Sequence, residues 1–487
     1  MRLSAQLTFF TTCIALSAAL AGVPCVAAAQ MSERVRIAED GTLVVAGERT
    51  FILGLYEDAK DDAVVAAVSE AGYNLLPCGN SIEALDRLHA AGIHSWVGTG
   101  GAIDLSSDTA GRKEQLRSLV DAFGSHPAVL LWEVPDEMLW GCWAGSFHYR
   151  YLHEPAALRE EFAKLEDREL ADALDNQLRE SQKLFHRGDY EEGEGLADDL
   201  WRKLGQDPKS GPSFNYPMAS QQARTLRGGL VEGYAFLKQL DPGRPIWMNH
   251  APRGPIPQLA EFNEAADIVS CDIYPLPAHV GHSDLADRTL AATGAYTRRM
   301  RKSAPGKPVW MVLQGFGWAD IDNSRLDADG NELNRRPRHH ELRFMAYDAI
   351  VHGARGVLFW GTTAVEKDSE LWGDVLDLGR ELSGLQPVLS APDADLAVEI
   401  AHGETLCSLD QGVCVLPKSV NGATWFIVVS EAERIPLQYT IHGLASLEGQ
   451  RYSDPAADRT ATVTDGSLTS SIRGRGVHLL RPEPASP

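Results

Sequence analysis

From residue 51 onward, short apolar runs alternate with stretches of helical period, and the alternation recurs. Residues 51–56 read as a buried strand ending at Glu57, and Asp61-Asp62 opens a helix that reaches about residue 71. A strand at 73–76 is followed by a helix over 81–91 with Ser81 as its cap. A third strand at 93–97 leads through a glycine-rich loop to a helix over 112–123, and His126-Pro127 turns the chain into a fourth strand at 128–133. Further strands fall at 245–250, 267–272, 308–313 and 356–361, with helices at 222–240, 284–301, 340–352 and 371–389. Eight such units predict a closed (β/α)8 barrel spanning residues 30–390.

Three stretches break the rhythm. Residues 33–50 read as an antiparallel hairpin turning at Asp40-Gly41. Residues 138–220 form an insertion after strand four. It begins with Trp140, Trp143, Phe147, Tyr149 and Tyr151, takes a helical pattern over 155–185, and continues through glycine- and acid-rich stretches at 188–195 and 205–217. An insertion of that length on a barrel loop shapes a site or a subunit contact, unless it is a decorated solvated loop. Past Ser390, short strands at 396–400, 413–416, 424–429, 437–441 and 476–480 are punctuated by Asn421-Gly422 and Asp465-Gly466. They predict an antiparallel β-sandwich domain over 391–482, packed on the barrel.

Composition narrows the function. The chain has 487 residues, and its net charge of −22 argues against nucleic acid, whose binding needs a basic footprint. Arg2, a mostly apolar stretch over 7–23 and Ala27-Ala28-Ala29 read as a signal peptide over 1–29, which implies a secreted or periplasmic protein. Gly22-Val23-Pro24 before Cys25 lacks the small residue of a lipoprotein site, and no later apolar run is long enough to span a bilayer, so no membrane anchor is expected. Of the cysteines after that cut, Cys407 and Cys414 flank a segment that can turn, which permits a bridge across a hairpin.

Chemistry concentrates in Val129-Leu130-Leu131-Trp132-Glu133-Val134-Pro135-Asp136-Glu137, where a buried strand runs out into three acids. Ligands of an α/β barrel meet it at the carboxyl ends of its strands. Strand ends bring Glu57, Asn74, Glu133, Asp136, Glu137, Asn249, His250, Asp272, Tyr274, Gln314, Trp318 and Trp360 to that rim. Rings that cover sugar faces, with amides and acids that take hydroxyls, suit an oligosaccharide or polysaccharide. Glycosidic cleavage needs a proton donor and a second carboxylate. Glu137 is the candidate donor, against the alternative of a salt-bridged rim acid. Asp272 is the candidate second carboxylate, against a turn cap. Glu57, Asp136, Asn249, His250, Tyr274, Gln314, Trp318 and Trp360 are the candidate substrate contacts.

No cofactor or metal is expected. His250, His279 and His282 have no compelling metal spacing, and Asp327-Ala328-Asp329-Gly330 lacks the remaining ligands of a calcium loop. Gly98-Thr99-Gly100-Gly101 is short of a nucleotide-binding pattern, and no nucleophile elbow is present. Oligomeric state is left open.

The chain resembles the retaining clan of (β/α)8 glycoside hydrolases that includes β-galactosidases, mannanases and cellulases. The likeness covers roughly residues 38–390 and rests on three places: the lead-in from Asp40-Gly41-Thr42 to Leu55-Tyr56, the run from His126-Pro127 to Asp136-Glu137, and Phe359-Trp360-Gly361. The resemblance implies that Glu137 is the acid/base, with Asp136 in place of the clan's usual asparagine. It also implies a nucleophilic glutamate at the end of strand seven, where this chain has Gln314. A neutral amide cannot form the covalent glycosyl ester. Three accounts follow: another carboxylate (Asp272, Glu133 or Glu57) replaces it; the barrel binds carbohydrate without cleaving it; or a nearby acid such as Asp320 takes the place.

Overall fold

The computed structural model describes residues 35–187, 189–278, 282–286, 288–322, 335–404, 412–454 and 459–484. The expected leader, Cys407 and so the permitted bridge to Cys414, His279 and residues 327–330 lie outside them.

Eight parallel strands close into a barrel in chain order: Ile52–Leu55, Leu75–Pro77, His94–Gly98, Val129–Glu133, Ile246–His250, Ile268–Ile273, Val309–Gln314 and Gly356–Trp360, the last pairing with the first. The alternation of strand side chains sorts the apolar residues into two layers. Ile52, Leu75, Trp96, Leu131, Trp247, Ile268, Trp310, Val312 and Leu358 fill the interior. Leu53, Leu55, Val97, Trp132, Met248, Met311 and Phe359 face the helices. Two glycines make the filling possible. A Cβ at Gly54 would meet Leu358 at 2.7 Å, and one at Gly356 would meet Trp310 at 2.8 Å.

The N-terminal segment is a three-stranded antiparallel sheet, Val35–Ile37, Leu43–Val45 and Glu48–Thr50. Its Val35 and Leu43 join the interior cluster, so this sheet stoppers the barrel at the amino ends of the strands.

The insertion is almost wholly helical. Met138–Phe147, a π-turn at His148–His153, Glu154–Ala163, Arg168–Arg187 and Tyr190–Lys203 precede the long helix Tyr216–Leu240. The glycine- and acid-rich stretch of the insertion enters the helix Tyr190–Lys203. Gly193 lies there against the preceding helix, where a Cβ would come 3.1 Å from the Ser181 carbonyl. Leu158, Phe162, Leu174, Leu178, Leu200 and Trp201 give the insertion its own core. Arg150, fully buried, ties it together by ion pairs to Glu154 and Asp198, each at 2.8 Å. The helix expected from residue 284 begins only at Ala292 (Ala292–Ser303).

Beyond the barrel, antiparallel strands form two sheets, as the change of period predicts. One has Glu399–His402, Leu437–His442 and Ser467–Ile472. The other has Val413–Val420, Ala423–Ser430, Val477–Pro482, Arg451–Asp454 and Arg459–Thr462. Asp393, in the connection, pairs with barrel Arg355 at 2.8 Å and with Lys418 of the second sheet at 3.0 Å. Among the described residues no helix is long and apolar enough to cross a membrane.

Candidate active site

The side chains that reach the mouth of the barrel are decided by strand parity. On strand four, Trp132 turns outward and donates its indole N–H to Asp241 at 3.0 Å, so its neighbour Glu133 turns inward. There it accepts a hydrogen bond from Trp96. On strand five, Asn249 points in and His250 points out. On strand six, Ser270 and Asp272 point in.

These residues form a hydrogen-bonded line. Trp247 Nε1 donates to Ser270 Oγ at 2.7 Å, and Ser270 Oγ donates to Asn249 Oδ1 at 2.6 Å. That fixes the amide so that Asn249 Nδ2 donates to Asp136 Oδ1 at 2.8 Å and also to Asp272. Tyr274 donates its hydroxyl to the other oxygen of Asp272 at 2.8 Å. Glu137 starts the helix Met138–Phe147 in a left-handed backbone conformation, φ 51°, and its N–H donates to the Asn249 carbonyl at 3.2 Å. The backbone bond ties the end of strand four to strand five.

Four acids therefore share the mouth: Glu133, Asp136, Glu137 and Asp272. Asp272 is buried, Glu133 and Glu137 are half-buried, and Asp136 is exposed on its solvent side. Burial and the charge of Asp136 raise Glu137 to about 7, against a smaller opposite effect from Arg253. The same two causes raise Glu133 to about 8. Burial, then the charges of Asp136 and Glu137, push Asp272 well above the carboxylate range. Asp136 is raised as well, mainly by burial, although Asn249 donates to it. Like charges this close resist joint ionisation, so the cluster retains protons at neutral pH.

Aromatic rings flank the acids. Tyr274 and Trp360 stack at 5.5 Å with 15° between their planes, and Phe316 meets both edge-on. Trp318 donates its indole N–H to the Leu276 carbonyl at 3.0 Å, which sets it beside that stack.

Several expected contacts go elsewhere. His250 faces the helical shell, bonded through Nε2 to Asn263 at 2.8 Å, and burial lowers it to about 4. Glu57 is buried and paired with Lys367 at 2.7 Å. Asn74 lies at the opposite end of the barrel, where it accepts from Leu53 N and donates to the Phe51 carbonyl. Gln314 does point inward at the end of strand seven, but its three hydrogen bonds go to the loops that follow strands six and seven. It accepts from Leu276 N at 2.9 Å and donates to the carbonyls of Leu276 and Phe316 at 2.8 and 3.1 Å. Asp320 is held by Arg336 at 2.6 Å.

The sequence reading passed over Tyr56, which occupies the position expected of its neighbour Glu57. Its hydroxyl is buried without a hydrogen-bond partner. Burial, then Glu133, Asp136, Asp272 and Glu137, push it well above the phenol range, so it stays protonated. Parity could have found it: with Ile52 and Gly54 facing in, residue 56 faces in and residue 57 does not.

A closed (β/α)8 barrel with an antiparallel β region behind it is the fold that the resemblance implies, but the second acid at the mouth stands on strand six and not on strand seven. No family model matches the chain, and no curated protein matches its sequence. Among solved structures, one described as a glycoside hydrolase aligns over 94% of this chain and 98% of its own, with a TM-score of 0.51 and 11% identity. A glycoside hydrolase family 5 protein from Bacteroides vulgatus aligns over 92% and 93%, with a TM-score of 0.48 and 12% identity. The β-galactosidase from Marinomonas ef1 gives a TM-score of 0.43 at 13% identity, and this chain spans 60% of its length. At these identities the shared feature is the fold.

Proposed function

We propose that the protein hydrolyses a glycosidic bond in an oligosaccharide or polysaccharide, with Glu137 as general acid. The observation that carries this reading is the group of four acids at the mouth, with Asp136 and Asp272 sharing the Asn249 amide and Glu133 and Glu137 both raised by the charge of Asp136, and with the Tyr274–Trp360 stack on the same rim. A carboxyl raised to about 7 keeps its proton at neutral pH and can pass it to the leaving oxygen. Asp272 is the second carboxylate. In the ionisation state in which Glu137 keeps the cluster's proton, Asp272 is the anion that Asn249 and Tyr274 donate to, and in that form it takes a proton from the attacking water. Asn249 and Tyr274 hold it for that role. Gln314, committed to the Leu276 loop, takes no covalent part. The stacked rings supply an apolar face for a sugar, and Asp136 supplies an acceptor for a hydroxyl.

The experiment is hydrolysis of a broad glycan panel by wild type, Glu137→Gln and Asp272→Asn. Wild type is expected to release product, and Glu137→Gln to lower kcat by about 10²–10⁴-fold. Saccharide binding without any Glu137-dependent product would make this a non-catalytic carbohydrate-binding barrel instead.

A further inference from the structure

A second cluster of reactive side chains lies away from the barrel mouth, where the β region packs on the helical shell. His352 follows the helix His339–Val351 that carries Asp348, Cys414 lies on the strand Val413–Val420, and Glu431 follows the strand Ala423–Ser430. One ligand atom from each of His352, Cys414 and Glu431 lies within 4.8 Å of the other two. Cys414 Sγ is 3.6 Å from His352 Nε2, Glu431 Oε1 is 2.6 Å from it, and Asp348 Oδ1 is 3.6 Å from it. Asp348 is fully buried, its Oδ2 accepts from Gly294 N at 2.7 Å, and Oδ1 makes no hydrogen bond.

We propose that His352, Cys414, Glu431 and Asp348 bind a divalent metal ion of the zinc type, which pins the β region to the barrel. Imidazole, thiolate and carboxylate together form a borderline donor set that suits zinc. With metal–ligand bonds of about 2.0–2.3 Å, tetrahedral donors stand about 3.3–3.7 Å apart. The contacts of Cys414 and Asp348 with Nε2 already have that spacing; the Glu431 contact has to open, and Asp348, which stands outside the mutual 4.8 Å group, has to swing toward Cys414.

The charges close as well. A divalent cation and Arg298 together balance a thiolate and two carboxylates around a neutral imidazole. Arg298 Nη1 lies 2.8 Å from Nε2 and 3.3 Å from Nδ1 of His352, so the guanidinium has to withdraw from Nε2 when the metal takes that lone pair. It is also 3.3 Å from Glu431 Oε1, where it stays as a neighbour of the bound carboxylate. This site is independent of the hydrolytic reading.

The test uses the full chain, stripped with a chelator and then titrated with Zn²⁺ or Co²⁺. The expected result is about one equivalent of metal per chain and a rise in Tm on loading. Cobalt should add a near-ultraviolet thiolate-to-metal band that Cys414→Ser removes, with the zinc-dependent Tm rise also lost in Cys414→Ser and Asp348→Asn. Absence of stoichiometric binding by wild type, or a cobalt band that survives in Cys414→Ser, would overturn the assignment. The wild-type arms alone decide it should a variant fail to fold.

Discussion

At the scale of the residue, proton affinity separates the acids at the mouth. Glu137 at about 7 makes the proposed activity fall as pH rises through that value, because the leaving oxygen then lacks its donor. A profile of kcat/KM against pH that is still rising above 8 would contradict this. Glu133, raised to about 8, has a consequence for stability. The folded state holds its proton more tightly than the unfolded chain, so its contribution is complete below the ordinary carboxylate range and drains away as pH climbs to about 8. Glu133→Gln should therefore stabilise the protein at pH 9 but not at pH 5. Solvent reaches the carboxyl, which limits the gain to about 1–2 kcal/mol, readable by thermal melts at both pH values. Much of this site was legible in the sequence. Glu137, Asp136, Asn249, Asp272, Tyr274 and Trp360 stand at strand ends, where the alternation of runs placed them. Tyr56 and His250 were misjudged because a strand end was treated as a point, whereas neighbours on a strand face opposite sides.

At the scale of the element, strand seven ends by holding a loop instead of presenting a nucleophile. Three hydrogen bonds from the Gln314 amide fasten the segment at Leu276 and Phe316, and Trp318 adds a fourth. Gln314→Glu restores the carboxylate that the clan resemblance implies, yet aims an oxygen at two buried carbonyls. We expect it to lose about 2–4 kcal/mol of stability, more at high pH, with no gain in turnover. Denaturant melts and glycan assays check both parts. The strands and the barrel closure were readable from the period of the apolar residues. The insertion was only half readable. Gly193 and its acidic neighbours carry loop composition, but tertiary contact with the preceding helix overrides it.

At the scale of the molecule, the two parts of the chain are joined by charge as well as by apolar packing. Asp393 lies between Arg355 and Lys418, and these cations hold its carboxyl down to about 2 despite burial. Its contribution is present above the ordinary carboxylate range and is lost as pH falls through about 2. Asp393→Asn leaves the buried Lys418 ammonium without its carboxylate and should cost about 2–4 kcal/mol at neutral pH, with limited proteolysis releasing the β region first. The β region was recognised by its turns, but its strands at Arg451–Asp454, Arg459–Thr462 and Ser467–Ile472 were not. Their short polar alternation sits on half-exposed sheet faces and resembles loop.

The small sheet under the barrel has a consequence for traffic. With Val35 and Leu43 seated among the interior side chains, the vessel is corked at its base, and anything that reaches the acids has to arrive and depart through the same opening. Under the proposed function, a long glycan would drape across the lip with one linkage dipping toward Glu137, since the packed interior among the described residues offers no channel for a strand to thread.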